Sequence, residues 1–251
     1  MIPKIIHYCW FGKKPLPELA LKCIASWKKF LPDYKIKEWN EENFDVNQIP
    51  YTAQAYKYKK YAFVSDFARF KILYEHGGIY FDTDVEVLQP LDKILESAPF
   101  MACERDFNDT RQTSTKLAQG ILVAPGLGLA TTAGHPVYKE ILNLYQHLSF
   151  VERNTINLTT VVTYTTNILT THGLKNIPGI QVVEGITIYP KRYFCPLSAD
   201  KSSLQIESET VAIHHFAASW VDPIRKSLIA KIWELFHLPN TNIRQRLFHR
   251  H

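Results

Sequence analysis

The 251-residue chain predicts an α/β fold: a mostly parallel sheet flanked by helices in a single domain, with a short C-terminal appendage. Three observations carry that expectation. The opening segments run strand, helix, strand, the order of parallel βαβ winding. Short β-prone runs go on alternating with helical-period segments as far as Phe216. An apolar content of 46% at this length supplies one substantial core.

The first strand falls in residues 2–12, IPKIIHYCWFG, an apolar run that starts after Pro3 and stops at Gly12. After the loop KKPLP, Leu19, Cys23, Trp27 and Phe30 recur at helical spacing over residues 18–30, and Pro32 and Asp33 break the period before a second strand at 34–39. A second helix is expected at 52–61. A third is expected to begin at Ser65, whose hydroxyl would cap the run DFARFKILYEH, and to end at Gly77 and Gly78, because glycine takes the positive φ that a helix C-terminus needs. IYFDTDVEVL, residues 79–88, reads as one strand with two carboxylates near its middle. Beyond Pro90 the pattern gives a helix at 91–97, a strand at 121–125 and a helix at 136–148. The Thr-rich stretch 159–171 fits strand or helix. The β-prone segments ITIYP, YFCPL and VAIHHF (211–216) follow, and no repeat or low-complexity linker interrupts them.

Lys and Arg exceed Asp and Glu by 29 − 24 = 5, a mild basic excess that is no signature of a nucleic-acid partner. The four cysteines, Cys9, Cys23, Cys103 and Cys195, lie far apart without a CxxC pair, which argues against a structural zinc site and fits a reducing compartment. Lys4 and His7 interrupt the short N-terminal apolar run, and no stretch approaches the roughly 18 apolar residues that span a bilayer. The expected location is therefore the cytoplasm, or the cytoplasmic face of a membrane. Residues 1–222 are read as the domain. Residues 223–251, with Ile224, Leu228, Ile229, Ile232, Trp233, Leu235 and Phe236 among basic residues, read either as a helix docked by its apolar face or as a basic amphipathic helix in peripheral contact with an anionic membrane.

The chemistry centres on Asp82 and Asp84. On a strand leaving a buried sheet, residues i and i+2 share a face, so both carboxylates can approach one cation at the edge where open α/β sheets bind ligands. A hard divalent ion takes oxygen ligands and can stabilise a departing diphosphate as a Lewis acid. The competing reading of such a pair is a solvated turn; the apolar run before it, where unpaired charge is costly to bury, favours a site. Upstream, Asp66 and Arg69 stand at i and i+3 on one helical face, as a site element or an ordinary surface ion pair.

The string SDFARFKILYEHGGIYFDTDVEVL, residues 65–88, resembles the sugar-binding DxD region of glycosyltransferase family 32, with its SDxxR, double glycine and YxDxD. IPKIIHYCWFG is similar to that family's first strand and IHHFAASW (213–220) to its closing motif, so the resemblance brackets residues 2–220. It extends distantly to the catalytic domains of clostridial glucosylating toxins. The resemblance implies a GT-A fold, with a Rossmann-like nucleotide-binding mixed sheet, and a retaining hexosyltransferase that uses Mn²⁺ or Mg²⁺, a nucleotide-sugar donor and a saccharide or lipid-linked oligosaccharide acceptor in surface or capsular polysaccharide synthesis.

Residue by residue, it implies that Asp82 and Asp84 contact the donor ribose and the metal, with Asp84 the more direct ligand. Asp66 and Arg69 would hold donor-sugar hydroxyls with Tyr80 beside them, and Trp10 would stack on the base, where the residue pattern alone also allows a core aromatic. In the closing motif a histidine completes the metal sphere. If VAIHHF is a strand, its adjacent histidines point to opposite faces and only one reaches the metal, with His215 favoured over His214; an imidazole suits Mn²⁺ better than Mg²⁺. Ser219 would touch the diphosphate and Trp220 would close over it. The family's downstream signature is replaced here by QGILVAPGLG and TYTTNILT, leaving Gln119, Thr166 and Asn167 as acceptor candidates. UDP-galactose or UDP-glucose is the favoured donor and GDP-mannose the alternative. A divalent-metal carbohydrate-binding module, or a sugar nucleotidyltransferase with a glycine-rich loop after the first strand, are readings from other classes.

Overall fold

In the computed structural model, residues 1–107, 120–153, 155–198 and 203–217 are described. The chain runs β1 (Ile5–Cys9), α1 (Glu18–Phe30), β2 (Lys35–Trp39), α2 (Pro50–Lys57), α3 (Tyr61–His76), β3 (Gly78–Tyr80), β4 (Val85–Val87), α4 (Asp92–Glu96), β5 (Phe100–Arg105), β6 (Leu122–Val123) and β7 (Leu129–Thr131). It continues through α5 (Pro136–Gln146), β8 (Val151–Glu152), β9 (Thr155–Ile156), α6 (Val161–Thr171), β10 (Gln181–Val183), β11 (Ile186–Tyr189), α7 (Lys191–Phe194) and β12 (Ala212–His214).

The main sheet has the order β10-β11-β5-β7-β3-β1-β2, with β6 added on β5. β1 pairs parallel with β2 and β3, β11 pairs parallel with β5, and β7 lies antiparallel between β3 and β5. It follows that β2, β1, β3, β5 and β11 all point one way. Their C-terminal ends make a single edge from which Trp10, Asp82 and Glu104 emerge. The expected α/β arrangement of a mixed sheet between helices is the one adopted, and Met1–Phe216 forms one unit.

Side-chain alternation along the strands splits the core in two. One face buries Tyr80, Met101 and Cys103 against Phe67 and Phe70 of α3, Tyr138 and Tyr145 of α5, and Leu169 of α6. The other buries Ile79, Phe81, Phe100 and Ala102 against Cys23 and Trp27 of α1, Val85 and Val87 of β4, Phe194 of α7 and Ala212 of β12. At the β1 end, buried His7 ties three elements: Trp39 Nε1–H donates to its Nδ1 at 3.0 Å, and its Nε2–H donates to the Gly77 carbonyl at 3.0 Å.

Several boundaries differ from expectation. α1 spans the residues its period marks out, while β1 is confined to Ile5–Cys9 and α2 starts and ends earlier than expected. α3 begins at Tyr61, so Ser65 is not its cap; the Ser65 hydroxyl instead donates to the Tyr61 carbonyl at 3.2 Å inside the helix. Gly77, at φ +65°, ends it as expected. The Thr-rich stretch is helix α6. The largest correction concerns residues 79–88, which are not one strand. β3 stops at Tyr80, the Val85 amide closes a turn on the Asp82 carbonyl at 3.1 Å, and β4 leaves the main sheet to pair with β12. Among the described residues no helix is long and apolar enough to cross a membrane. Residues 223–251 lie outside the described residues.

Candidate active site

The break between β3 and β4 is what builds the site. Asp82 follows β3 and is anchored by its own amide, which donates to the Gly126 carbonyl at 3.1 Å. Gly126 lies so close beneath it that a Cβ there would collide with Asp82 Oδ2. Two residues on, the Asp84 carbonyl accepts the His215 amide at 2.9 Å, extending the β4–β12 ladder in which His214 faces Val85. That register brings together residues 130 positions apart. α1 braces β4 from behind: Trp27 Nε1 donates to the Val85 carbonyl at 2.7 Å, and the Val87 amide donates to Ser26 Oγ at 2.9 Å.

On the α3 side the acids are already paired. The Arg69 guanidinium reaches Asp66 Oδ1 at 3.0 Å and Asp82 Oδ1 at 3.3 Å, with its side chain only 4% exposed. Its Nε–H donates to the Ser65 carbonyl at 3.1 Å, and its plane lies 5.0 Å from the centre of the Tyr80 ring. The Tyr80 hydroxyl donates to Asp82 Oδ1 at 3.0 Å. Asp66 also accepts the Val161 amide at the start of α6, a favourable place for a carboxylate. Burial outweighs these partners and pushes Asp66 up to about 7; it also raises Asp82, against the pull of Arg69. For Arg69, burial disfavours the charge, but Asp82, Tyr80 and Asp66 overcome it and hold the guanidinium ionised.

On the β12 side, His214 Nε2 lies 3.2 Å from Asp84 Oδ1. Asp82, Asp84 and His214 each offer one ligand atom, all within 4.8 Å of one another. Burial works against a charged His214, but Asp84 and then Asp82 outweigh it and raise its pKa. The set fits a divalent cation by its chemistry, two carboxylates and an imidazole favouring Mn²⁺ over Mg²⁺, and by the buried His214 Nδ1, which has no hydrogen-bond partner among the described residues. The geometry reverses the order expected of the two histidines. His215 points away, its Nε2 2.8 Å from Glu86 Oε2, and Lys22 Nζ meets the same oxygen at 2.9 Å.

The other expected positions divide. Trp10 sits at the end of β1, partly exposed, its indole N–H donating to the Lys14 carbonyl at 2.6 Å. Tyr80 is 1% exposed and its hydroxyl donates to Asp82. Arg69 is likewise enclosed between Asp66 and Asp82. Thr166 Oγ1 accepts the Val123 amide at 2.9 Å, a structural contact, and Asn167 is exposed on α6. Gln119, Ser219 and Trp220 lie outside the described residues. Sequence reasoning missed Gly126, whose only signal is its place between Pro125 and Leu127, and Glu104, which follows β-prone FMAC without a motif. Two clefts, of about 150 and 330 Å³, flank the ends of β5 and β11 and share Asp106 and Arg192.

Residues 17–101 match the family described as the glycosyltransferase sugar-binding region containing a DXD motif. Over that span the chain is similar to the DXD glycosyltransferases. It is 27% identical over 234 residues to the uncharacterized glycosyltransferase L373 of Acanthamoeba polyphaga mimivirus, spanning 90% of this chain and 86% of that protein. It is 35% identical over 98 residues to inositol phosphoceramide mannosyltransferase 3 of Schizosaccharomyces pombe, 38% of this chain but only 27% of the yeast protein. Among solved structures, the PaToxG glycosyltransferase superposes with a TM-score of 0.48 at 21% identity, covering 68% of this chain and 69% of that one. The DXD of this chain is Asp82-Thr83-Asp84, within the matched span.

The loop after β1 does not have the open amides of a nucleotidyltransferase. The Gly12 amide already donates to Glu41 Oε1 at 2.7 Å, and a Cβ on Gly12 would strike the Tyr61 ring. Nor is the domain the all-β body expected of a carbohydrate-binding module.

Proposed function

We propose that this glycosyltransferase moves a hexose, with retention of anomeric configuration, from a UDP-sugar (UDP-galactose or UDP-glucose) to a saccharide or lipid-linked oligosaccharide acceptor in surface or capsular polysaccharide synthesis, in the cytoplasm or at the cytoplasmic face of a membrane. The observation that supports it most is the convergence of Asp82, Asp84 and His214 at the C-terminal edge of the sheet. These three would hold Mn²⁺, or Mg²⁺, which when bound supplies charge neutralisation to the departing nucleoside diphosphate.

The chain's own residues do the positioning. Arg69, Asp66 and Tyr80 fix the Asp82 carboxylate, so that it need not reorganise when the donor arrives. Trp10, partly exposed at the end of β1, would stack on the base. Ser219 and Trp220 retain their proposed roles at the diphosphate. The polar cleft of about 330 Å³ beside α7, with Lys191, Arg192, Ser203 and Gln205 in its wall, suits a hydroxyl-rich acceptor better than Thr166 or Asn167. For a retaining transfer we favour front-side attack, in which the acceptor oxygen bonds to the anomeric carbon as the donor C–O bond breaks, and the leaving phosphate takes the acceptor proton.

The named activity of the yeast relative favours a second donor, GDP-mannose, and one assay separates the two. Purified protein is incubated with Mn²⁺ and a panel of UDP- and GDP-sugars, and nucleotide release is measured. Release of UDP from a UDP-hexose alone is expected; selective release of GDP from GDP-mannose would replace that donor. Asp84→Asn should leave less than about a tenth of the turnover, since it removes a ligand charge from the metal set.

A further inference from the structure

Glu104 has no part in the site as described so far. It sits near the C-terminal end of β5, on the edge that carries Asp82, two strands away across β7, or about 10 Å. Met101 and Cys103 enter the α3 side of the core and Phe100 and Ala102 the side formed by β4, β12 and α7. The pairing of β5 with β6 shifts register between Cys103 and Arg105, so Glu104 sits at that irregularity, where its charge and that of His214 on β12 act on each other. It is partly buried there, and its carboxylate makes no hydrogen bond or ion pair among the described residues. Its neighbour Arg105 is buried and donates to the Gly120 carbonyl at 2.6 Å, and its charge favours ionised Glu104 less than that of His214 does.

His214 presents the complementary deficiency. Its Nε2 is turned to Asp84, while its Nδ1 is buried and has no hydrogen-bond partner among the described residues. A buried imidazole nitrogen and a carboxylate that make no hydrogen bond are each costly. The two groups sense each other's charge: burial disfavours ionised Glu104, with His214 the leading counter-influence. Glu104 in turn helps raise His214, after Asp84 and Asp82. Metal-binding histidines commonly donate their second ring N–H to a carboxylate, which sets the tautomer.

We propose that Glu104 is the positioning residue for His214: by a rotation of its side chain its carboxylate accepts the Nδ1–H, leaving the Nε2 lone pair directed at a cation shared with Asp82 and Asp84. This rests on the metal reading above. Glu104 acts through His214 and does not itself touch the donor.

The test is calorimetric titration of Mn²⁺ into full-length, metal-free protein, for wild type, Glu104→Ala, Glu104→Gln and Asp84→Asn, with thermal melts confirming that each variant folds. Glu104→Ala should weaken Mn²⁺ binding by about 10- to 100-fold. Glu104→Gln, which keeps an acceptor oxygen, should fall between Ala and wild type. Long-range ¹H–¹⁵N spectra of the histidine rings supply a readout that a merely structural role would not move. His214 should carry its proton on Nδ1 in metal-loaded wild type, and Glu104→Ala should lose that preference. Mn²⁺ binding by Glu104→Ala within about twofold of wild type, with Asp84→Asn impaired, would overturn the role of Glu104 alone. Unchanged binding in Asp84→Asn as well would overturn the metal site itself.

Discussion

The two flanks of the DXD loop are built on opposite principles. On the α3 flank, buried Asp66, Arg69 and Tyr80 and partly exposed Asp82 satisfy one another. On the β12 flank, the Asp84–His214 pair is accompanied by an Nδ1 and a Glu104 carboxylate that make no hydrogen bond among the described residues. The first flank is finished in the free protein and makes rigidity. The second is left with ligand-ready groups, which is where a cation would repay the desolvation of the imidazole and carboxylates. The comparison teaches that a site of this kind separates its scaffold from its binding function, although both halves are made of carboxylates.

Mutation should separate the flanks along two axes. Arg69→Met leaves buried Asp66 and partly exposed Asp82 without a counter-charge, and removing one member of a buried pair such as Asp66–Arg69 costs about 3–5 kcal/mol. Chemical denaturation should therefore show a large stability loss for Arg69→Met. Asp84→Asn should lose activity with a stability change of about 1 kcal/mol or less, typical of a substitution that leaves a rigid scaffold intact. If Asp84→Asn is as destabilising as Arg69→Met, the division between scaffold and binding flank is wrong.

Gly126 sharpens the same contrast. It lies against the α3 flank, and an added Cβ would displace both Asp82 and the Arg69 guanidinium, whose Nη1 would be 3.3 Å away. Because the scaffold is close-packed, Gly126→Ala should lower turnover by about tenfold or more through misplacement of one carboxylate. Gly134→Ala is a useful control, since nothing lies within 4 Å of a Cβ there, although its φ of +81° carries a backbone cost of its own. It should change stability modestly and leave the donor KM and kcat near wild type.

The flanks also differ in how far the sequence reveals them. Asp66 and Arg69 are three apart in a helix, so their shared face follows from helix geometry and the structure pairs them. α1 is equally legible, because four apolar residues at helical spacing stand between clear breaks. The β12 flank depends on long-range register. Alternation says that one of His214 and His215 faces the carboxylates, but only the pairing of His214 with Val85 selects which. The split between β3 and β4 is hidden for a related reason. YFDTDVEV has β-prone residues on both sides of three polar ones, and nothing local announces that Asp82 and Asp84 leave one sheet and enter another. β7, only three residues long, gives too short a run to mark it as the antiparallel strand beneath the site.

The last expected effect is the most delicate, because two groups oppose each other. Burial lowers the pKa of His7 from 6.5 to about 4, so between those values the unfolded chain binds more protons there than the folded one, and stability rises with pH. It is fully present above 6.5 and is lost as pH falls toward 4, up to about 3 kcal/mol in all. Asp66 runs the other way. Burial raises it from 3.8 to about 7, the folded chain binds more protons between those values, and its contribution falls as pH rises. The overlap predicts a flat wild-type stability profile between about pH 4 and 6.5. Urea denaturation across that range should show stability rising with pH in Asp66→Asn, which keeps the neutral shape, and falling with pH in His7→Gln. A rising profile already present in wild type, unchanged by Asp66→Asn, would mean that Arg69 and the Val161 amide keep Asp66 ionised in spite of burial. The α3 flank would then be a charged pair at every physiological pH, and its rigidity would owe more to electrostatics than to exclusion of water.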